Sequence, residues 1–395
     1  MTETERWLLP EGIDELLPEQ AEQIEFLRRS ILKLYQRWGY RYVMTPMVEH
    51  LDSLLVGMGN DLDQRTFKLT DEMTGRLLGV RADITPQVSR IDAHRLNKAG
   101  PSRLCYAGPV LLTHPRELGG SRNPIQIGAE LYGHQGIESD IEVLELMLSS
   151  LKRSDVEVNS LDLGHVGIFR ELVKQFGISE EIEAQLFNAL QRKAKTDIQD
   201  LLVSETSACQ LMFDALIELN GSDEVFVEAR TRLAGANQQV FEALQELEDI
   251  YIGLKKRCPD VSVHFDLAEL RGYEYHTGLV FAAYVPGYWQ AIAQGGRYDE
   301  VGKVFGRARS ATGYSMDLRA ICQLLPPYQS VTDNIFAPAM DDADLENKIH
   351  QLREAGESVI RELPGQTGDG TDNGCDRALV KRDQQWQVEK IESLG

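Results

Sequence analysis

Hydrophobic positions near the start of the chain follow first a helical and then a strand-like pattern. A helix over residues 18–38 is predicted by apolar positions that recur every three or four residues: Ile24, Leu27, Ile31, Leu34, Tyr35 and Trp38. Pro18 stands at the start, where proline is well tolerated, and Gly39 ends the pattern. Residues 40–46 then predict a short strand that ends at Pro46.

The remaining pattern predicts a sheet that is interrupted by helices. Helices are expected at 85–97, 137–151, 345–353 and throughout 168–257, where we expect a helical insertion between two halves of the sheet. Strands are expected at 66–70, 77–80, 103–107, 126–133, 158–163, 262–269, 274–284, 290–294 and 312–316, followed by a hairpin at 377–381 and 386–391.

A break at Leu324-Leu325-Pro326-Pro327 predicts a linker between two domains. We therefore expect a core domain over residues 1–325 and a small α/β domain over 326–395. The predicted class is α+β, an antiparallel sheet flanked by helices.

Charge and composition narrow the functional classes. The 395 residues include 41 Lys and Arg against 62 Asp and Glu, a net charge of −21. Such a chain repels phosphate backbones and anionic lipids, so we expect neither tRNA binding nor membrane binding. No apolar run is long enough to span a membrane, and no signal peptide precedes the first helix. Five widely spaced cysteines favour reduced thiols in the cytoplasm over a disulfide framework or a structural metal, and we expect no cofactor.

Polar clusters occur on three β-rich stretches. The first is Arg81-Ala-Asp83-Ile-Thr85, where Asp83 and Thr85 either cap a helix or accept hydrogen bonds from an ammonium group. In the second, Gln126, Gly128, Glu130 and Tyr132 share one face of a strand. That face is either solvated or the floor of a polar ligand site, with Gly128 admitting the ligand closely.

The third cluster is the densest. Leu270-Arg-Gly-Tyr-Glu-Tyr-His-Thr-Gly278 places Arg271 where it can meet a carboxylate or phosphate, and Tyr275 and His276 where they can form a flat polar wall. Downstream, Gly295-Gly296-Arg297-Tyr298-Asp299 predicts backbone that lies against a ligand.

In this order, the clusters resemble the catalytic core of class II aminoacyl-tRNA synthetases, most closely histidyl-tRNA synthetase. The helix, strand and Pro46 resemble the first class II motif, which forms the dimer interface. Residues 106–130 resemble the second motif and residues 313–319 the third, including its arginine, Arg319. Residues 271–276 and 295–299 resemble the two histidine-specific motifs.

Three departures separate the chain from an active synthetase. In the second motif, Leu112 replaces an arginine that holds the ATP α-phosphate in a synthetase, and His114 replaces a glutamate. Losing one such preorganised donor costs about a hundredfold or more in rate. His276 replaces the second tyrosine of the first histidine-specific motif, and the C-terminal domain is short. Arg-Gly-Tyr-x-Tyr-His-Thr-Gly resembles a catalytically silent branch of the family, the regulatory subunits of ATP phosphoribosyltransferase.

The resemblance implies a histidine pocket beside a degenerate ATP site. Asp83, Thr85 and Gln126 would hold the α-amino group, although the family has a glutamate in place of Asp83. Glu130 and His276 would address the imidazole, Tyr275 would line the pocket and Arg271 would balance negative charge. The degenerate ATP site would consist of Leu112, His114 and Arg319.

The leading hypothesis is a non-catalytic subunit that binds L-histidine. By resemblance it would form class II-type dimers within a hetero-octamer with a short-form ATP phosphoribosyltransferase catalytic subunit. It would activate that subunit in the first step of histidine biosynthesis and confer feedback inhibition by histidine. An active histidyl-tRNA synthetase is the first alternative, because Arg271, Arg297 and Arg319 could still hold ATP. A stand-alone amino-acid-sensing module is the second.

Overall fold

The structure is a computed structural model that describes residues 7–55, 60–115, 120–301, 306–326, 333–366 and 370–391. Its contacts divide the chain into two units, residues 1–327 and 328–395. Of the predicted linker, Leu324 to Pro326 are described and Pro327 lies outside the described residues.

The helices and strands follow the predicted order. The helices are α1 (Pro18–Arg37), α2 (Leu51–Leu54), α3 (Asn60–Arg65), α4 (Thr85–Arg90), α5 (Ile137–Arg153), α6 (Val166–Phe176), α7 (Glu180–Gln191), α8 (Lys195–Leu201), α9 (Ser207–Glu218), α10 (Val225–Arg232), α11 (Gln238–Arg257), α12 (Leu318–Leu324) and α13 (Ala343–Glu354). The strands are β1 (Arg41–Tyr42), β2 (Val48–His50), β3 (Phe67–Thr70), β4 (Leu77–Val80), β5 (Ser102–Pro109), β6 (Ile125–Tyr132), β7 (Ser160–His165), β8 (Asn220–Gly221), β9 (Val263–Asp266), β10 (Leu279–Val285), β11 (Tyr288–Arg297), β12 (Ala311–Asp317), β13 (Asn334–Ala337), β14 (Ser358–Arg361), β15 (Cys375–Arg382) and β16 (Gln385–Lys390).

Nine of the described strands form one sheet in the order β1-β5-β6-β12-β11-β10-β7-β9-β8. The sheet is mostly antiparallel, as predicted, but β1 pairs with β5 and β7 pairs with β9 in parallel. A separate three-stranded sheet has the order β2-β4-β3. The large sheet supplies the floor on which the candidate site is built.

Helices cover the apolar face of the large sheet. The predicted stripe of α1 is buried through Ile24, Leu27, Ile31 and Tyr35. The helical insertion spans residues 166–257 (α6–α11), and its buried side chains belong to the same apolar core as those of the sheet and α1. Burial on this scale, at about 25 cal/mol per Å² of apolar surface, is the main source of stability for the larger unit.

Several predicted elements are shorter or more divided than the pattern indicated. The strand predicted at 40–46 is only Arg41–Tyr42. The helix pattern within 179–202 is divided into α7 and α8, because Lys193 has a left-handed φ of 51°. The Lys193 ammonium pairs with Asp266 at 2.8 Å, a tertiary contact that helical periodicity does not reveal.

The predicted strand 274–284 begins only at Leu279, so that Tyr275 and His276 lie on a turn and not on a strand. Gly272 has a φ of +65°, and the amides of Tyr275 and His276 both donate to its carbonyl, at 3.0 and 2.9 Å. The backbone amides are satisfied within the turn and are not available to a sheet. We refer to this segment as the 270–278 turn.

The smaller unit is an α/β structure with its own apolar core. Its strands have the order β14-β13-β15-β16, with β13 parallel to both neighbours and β15 antiparallel to β16. The predicted helix and hairpin are present as α13 and β15–β16, whereas β13 and β14 were not predicted from the sequence. The core contains Ile335, Leu345, Val359, Leu379 and Trp386.

Candidate ligand-binding site

A pocket of about 560 Å³, including its open mouth, lies on one face of the large sheet. Six of the seven side chains predicted to bind a ligand line it: Asp83, Thr85, Glu130, Arg271, Tyr275 and His276. Residues separated by up to 193 positions in the chain are thus brought to one pocket by β6, α4 and the 270–278 turn.

Strand β6 has the predicted two-sided character. Ile127, Ala129 and Leu131 enter the main apolar core, whereas Glu130 and Tyr132 take part in a polar network on the other face. All seven residues from Gln126 to Tyr132 are buried. The alternative of a solvated sheet face is therefore wrong.

Glu130 is the centre of the polar network. Thr85 Oγ1 and Tyr106 OH donate to Glu130 Oε1 at 3.1 and 3.0 Å, and the Tyr298 hydroxyl donates to Oε2. Burial nevertheless raises the pKa of Glu130 to about 8, because the three hydroxyl donors only partly compensate for lost hydration. The carboxyl group is therefore poised to gain or lose a proton near neutral pH.

Glycines on the neighbouring strands make room for this network. Gly313 is paired with Glu130 across the sheet, and a Cβ added to Gly313 would lie 1.6 Å from Glu130 Oε2. Gly128 is paired with Tyr106, whose hydroxyl would lie 2.5 Å from an added Cβ. The prediction that Gly128 admits a ligand is thus wrong, because the Tyr106 ring fills that space.

The glycine pair at 295–296 serves both the pocket and a side chain. Gly295 lines the pocket, and the contact of its backbone with a ligand stays a prediction. A Cβ on Gly296 would lie 2.8 Å from the His276 ring, so this glycine provides space for the imidazole.

Gln126 lies behind the pocket wall and holds Asp83. Its Nε2 donates to Asp83 Oδ1 at 3.1 Å, and its Oε1 accepts from the Ile84 amide at 2.9 Å. Asp83 Oδ1 also accepts from the Thr85 amide at 2.8 Å at the start of α4. The helix-capping and pocket-lining interpretations of Asp83 are therefore compatible, and Gln126 orients the carboxylate from beneath.

The 270–278 turn presents a cation and two rings. Arg271 Nη2 donates to Glu269 Oε2 at 3.2 Å and to Tyr284 OH at 2.9 Å. The His276 Nδ1–H donates to the Arg271 carbonyl at 3.0 Å, an assignment that follows from the carbonyl being an acceptor. Burial lowers the pKa of His276 to about 4, so its ring is neutral at physiological pH. The Tyr275 and His276 rings lie 4.1 Å apart between centroids.

Arg297 is not a ligand-facing arginine. It is buried and donates to Asp140 Oδ2 at 2.6 Å, to Ser139 Oγ at 2.9 Å and to the Gly136 carbonyl at 3.2 Å. Its guanidinium thus joins β11 to the start of α5. This placement removes one of the three arginines that supported the enzyme alternative.

The predicted degenerate ATP site lies outside the pocket wall. Leu112 is buried, with 1% of its surface exposed, and His114 is exposed. Arg319 Nη2 donates to the Asp14 carbonyl at 3.0 Å, and Arg122 Nε donates to the Leu112 carbonyl at 3.0 Å. Leu112 is thus a buried apolar side chain, and its correspondence to the phosphate-binding arginine of a synthetase stays a prediction from the resemblance.

Three residues of the site were not among the predicted ligands. Tyr106 and Tyr298 supply two of the donors to Glu130, and Glu269 pairs with Arg271. The register of β5 against β6 places Tyr106 opposite Gly128, and the alternation within either strand alone does not reveal this pairing. The described part of the chain holds no group of three metal-ligating side chains and no helix long and apolar enough to cross a membrane.

Comparison with known proteins identifies the family of the chain. A family model described as histidyl-tRNA synthetase matches residues 12–321, and one described as the ATP phosphoribosyltransferase subunit HisZ C-terminal domain matches residues 332–389. Fold and site thus define a protein of the histidyl-tRNA synthetase-like class II group. Curated relatives named ATP phosphoribosyltransferase regulatory subunit include those of Nitrosococcus oceani, 53% identical over 394 residues (99% of each chain), and Pseudomonas aeruginosa, 51% identical over 395 residues (all of each chain). The chain belongs to the family of ATP phosphoribosyltransferase regulatory subunits.

Solved structures show the same fold. A Bacillus halodurans protein, described as ATP phosphoribosyltransferase regulatory subunit/histidyl-tRNA synthetase, superposes with a TM-score of 0.81 at 25% identity. The match covers 93% of this chain and 96% of that one. Histidyl-tRNA synthetase from Nostoc has a TM-score of 0.77 at 19% identity, covering 95% of this chain and 91% of the other. The class II synthetase-like fold is therefore confirmed.

Proposed function

We propose that this chain is a non-catalytic subunit that binds L-histidine in the pocket and controls a short-form ATP phosphoribosyltransferase catalytic subunit. Regulation would include activation of that subunit and feedback inhibition by histidine. The observation that carries the non-catalytic part is that Leu112, at the position where the resemblance implies a phosphate-binding arginine, is apolar and buried. The polar side chains expected to recognise histidine are retained, whereas the arginine expected to bind the ATP phosphate is replaced by leucine.

The pocket has complementary groups for each part of a histidine zwitterion. Asp83 carries negative charge and Thr85 a hydroxyl where the ammonium group would bind. Glu130 can accept from an imidazole N–H when ionised and donate to the bare ring nitrogen when protonated. Arg271 uses Nη2 for Glu269 and Tyr284, and its guanidinium has further N–H donors for a carboxylate.

Histidine binding is tested by calorimetric titration of the purified chain. Asp83→Asn removes the negative charge but keeps an oxygen that can accept from the Thr85 amide, so α4 is preserved. We expect it to weaken histidine binding by about ten- to a hundredfold, the value of one hydrogen bond to a charged group. Asp71→Asn is the matched control, because Asp71 also accepts from an amide two residues ahead, at 3.1 Å, outside the pocket.

L-leucine, which has the same ammonium and carboxylate groups without an imidazole, should bind far more weakly than L-histidine. Equal binding of the two amino acids would refute the assigned imidazole contacts.

Histidine-dependent exchange of pyrophosphate into ATP tests the non-catalytic role, and we expect only background exchange. Robust exchange would favour the synthetase alternative.

Assembly as a dimer within a hetero-octamer is part of the proposal. Exposed apolar side chains support it, since Phe26 and Met44 are 60% and 79% exposed in the segment that resembles the class II dimer motif. Light scattering of the wild type and of Phe26→Asp tests the dimer, which the variant should weaken.

The described cysteines are all free, which supports placement in the reducing cytoplasm.

A further inference from the structure

Tyr273 belongs to the 270–278 turn, but its side chain packs on the helical insertion and not in the pocket. Its ring meets Phe169 of α6 edge-on at 5.2 Å between centroids and stacks on Phe187 of α7 at 5.7 Å. Its hydroxyl donates to Glu183 Oε1 of α7 at 2.5 Å. Burial raises the pKa of Tyr273, so the hydroxyl keeps its proton and acts as the donor. The turn is thereby attached to α7.

Arg170 of α6 attaches the same turn at two further points. Its Nη2 donates to the carbonyls of Tyr273 and His276, at 3.1 and 3.0 Å. Its guanidinium also lies 4.8 Å from the centroid of the Tyr273 ring. One side chain of the insertion therefore holds the segment that carries Tyr275 and His276.

Backbone hydrogen bonds within the turn join its residues to one another. The Tyr273 amide donates to the Leu270 carbonyl at 2.9 Å, and the Tyr275 and His276 amides both donate to Gly272. A ligand that contacts Arg271, Tyr275 or His276 therefore acts on a unit that includes Tyr273. A shift or ordering of the turn reaches α7 through the Tyr273 hydroxyl on Glu183 and through the Tyr273 ring on Phe187.

We propose that Tyr273 is a positioning residue that couples occupancy of the pocket to the ordering of α7 in the helical insertion. The inference rests on the proposed function, because histidine is the ligand through which the coupling is exerted. Coupling of this kind is reciprocal: weakening the attachment of α7 must weaken ligand binding by the same factor by which the ligand orders α7. The insertion is then a reporter of the state of the pocket.

The test is hydrogen–deuterium exchange on the full chain with and without L-histidine, together with histidine titrations. In the wild type, histidine should slow exchange both in the 270–278 turn and in residues 180–191. Tyr273→Phe keeps the ring but removes the donor to Glu183. It should retain protection of the turn, reduce the protection of α7 because only the ring contact with Phe187 remains, and bind histidine about fivefold more weakly, the equivalent of one ordinary hydrogen bond.

Two variants of Glu183 and one control keep the test decisive. Glu183→Leu removes the same bond from the α7 side and should reproduce the effect, whereas Glu183→Gln keeps an acceptor and should restore α7 protection. Tyr251→Phe is the matched control, because Tyr251 donates to Asp223 at 3.4 Å within the insertion but away from the pocket. If histidine protects the turn but not α7 in the wild type, or if Tyr273→Phe behaves like the wild type, the coupling inference is refuted and the proposed histidine site is not. No protection by histidine anywhere would instead refute the proposed histidine site.

Discussion

Replacing Glu130 by glutamine should change how the stability of the larger unit depends on pH. Glu130 is fully buried, and its pKa is raised from 4.5 to about 8 by burial. Between those values the native state holds one proton more at this site than the unfolded state. The contribution of Glu130 is therefore fully present below pH 4.5 and is lost as the pH rises through about 8.

The magnitude follows from proton linkage. One extra bound proton in the native state makes the free energy of unfolding fall by about 1.4 kcal/mol per pH unit. His276 acts in the opposite direction, because burial lowers its pKa from 6.5 to about 4, so its contribution is lost as the pH falls through that range. The contribution of His276 to the slope decreases as the pH rises above 6.5, the pKa of its unfolded state, and it is common to the wild type and the variant. We expect Glu130 to account for a loss of about 1 kcal/mol from about pH 6.5 to 7.5.

The assay is urea unfolding of the wild type and Glu130→Gln at several pH values between about 6.5 and 8. The difference in free energy of unfolding, wild type minus variant, should fall steadily as the pH rises, because contributions common to both chains cancel. Glu25→Gln is the control: hydrogen bonds from Arg28 and Arg29 lower the pKa of Glu25 to about 2, so its difference should be flat in this range. A flat difference for Glu130→Gln as well would refute the raised pKa.

Two further predictions concern the frame of the pocket, and both are measured by urea unfolding with histidine titration. Gly313→Ala should cost about 1–3 kcal/mol and weaken histidine binding, because its Cβ would displace the Glu130 carboxyl group; Gly100→Ala, in open space, should change neither property. Equal effects of the two glycine variants would contradict the packing described. Arg297→Met should cost about 3–5 kcal/mol by leaving buried Asp140 unpaired, and adding Asp140→Leu should recover most of the loss. No recovery would show that the ion pair is not the cause.

Much of the fold could be predicted because single-element patterns are strong here. The stripe of α1, the two-sided β6 and the continuous helical pattern of the insertion each follow from a period of 3.6 or 2 residues. What failed depends on contacts between elements. The 270–278 turn contains aromatic residues that favour strands, yet Gly272 and its carbonyl bonds hold it as a turn.

The site shows the same division. Residue types and spacing identified Glu130 and His276 as pocket residues, since both carry chemistry that an apolar core does not need. The sequence did not show that the Arg297 guanidinium forms an ion pair with Asp140, which lies 157 positions away. Nor did it show that Tyr106 occupies the space above Gly128, because that requires the register of β5 against β6.

The most direct test of the account is reconstitution with a short-form ATP phosphoribosyltransferase catalytic subunit. The rate of phosphoribosyl transfer is measured for the catalytic subunit alone, with this chain, and with this chain plus histidine, using the wild type and Asp83→Asn. The account predicts a higher rate with either chain, inhibition by histidine with the wild type, and a requirement for about tenfold or more histidine with Asp83→Asn. An unchanged rate on adding this chain, or equal histidine sensitivity of the two chains, would contradict it.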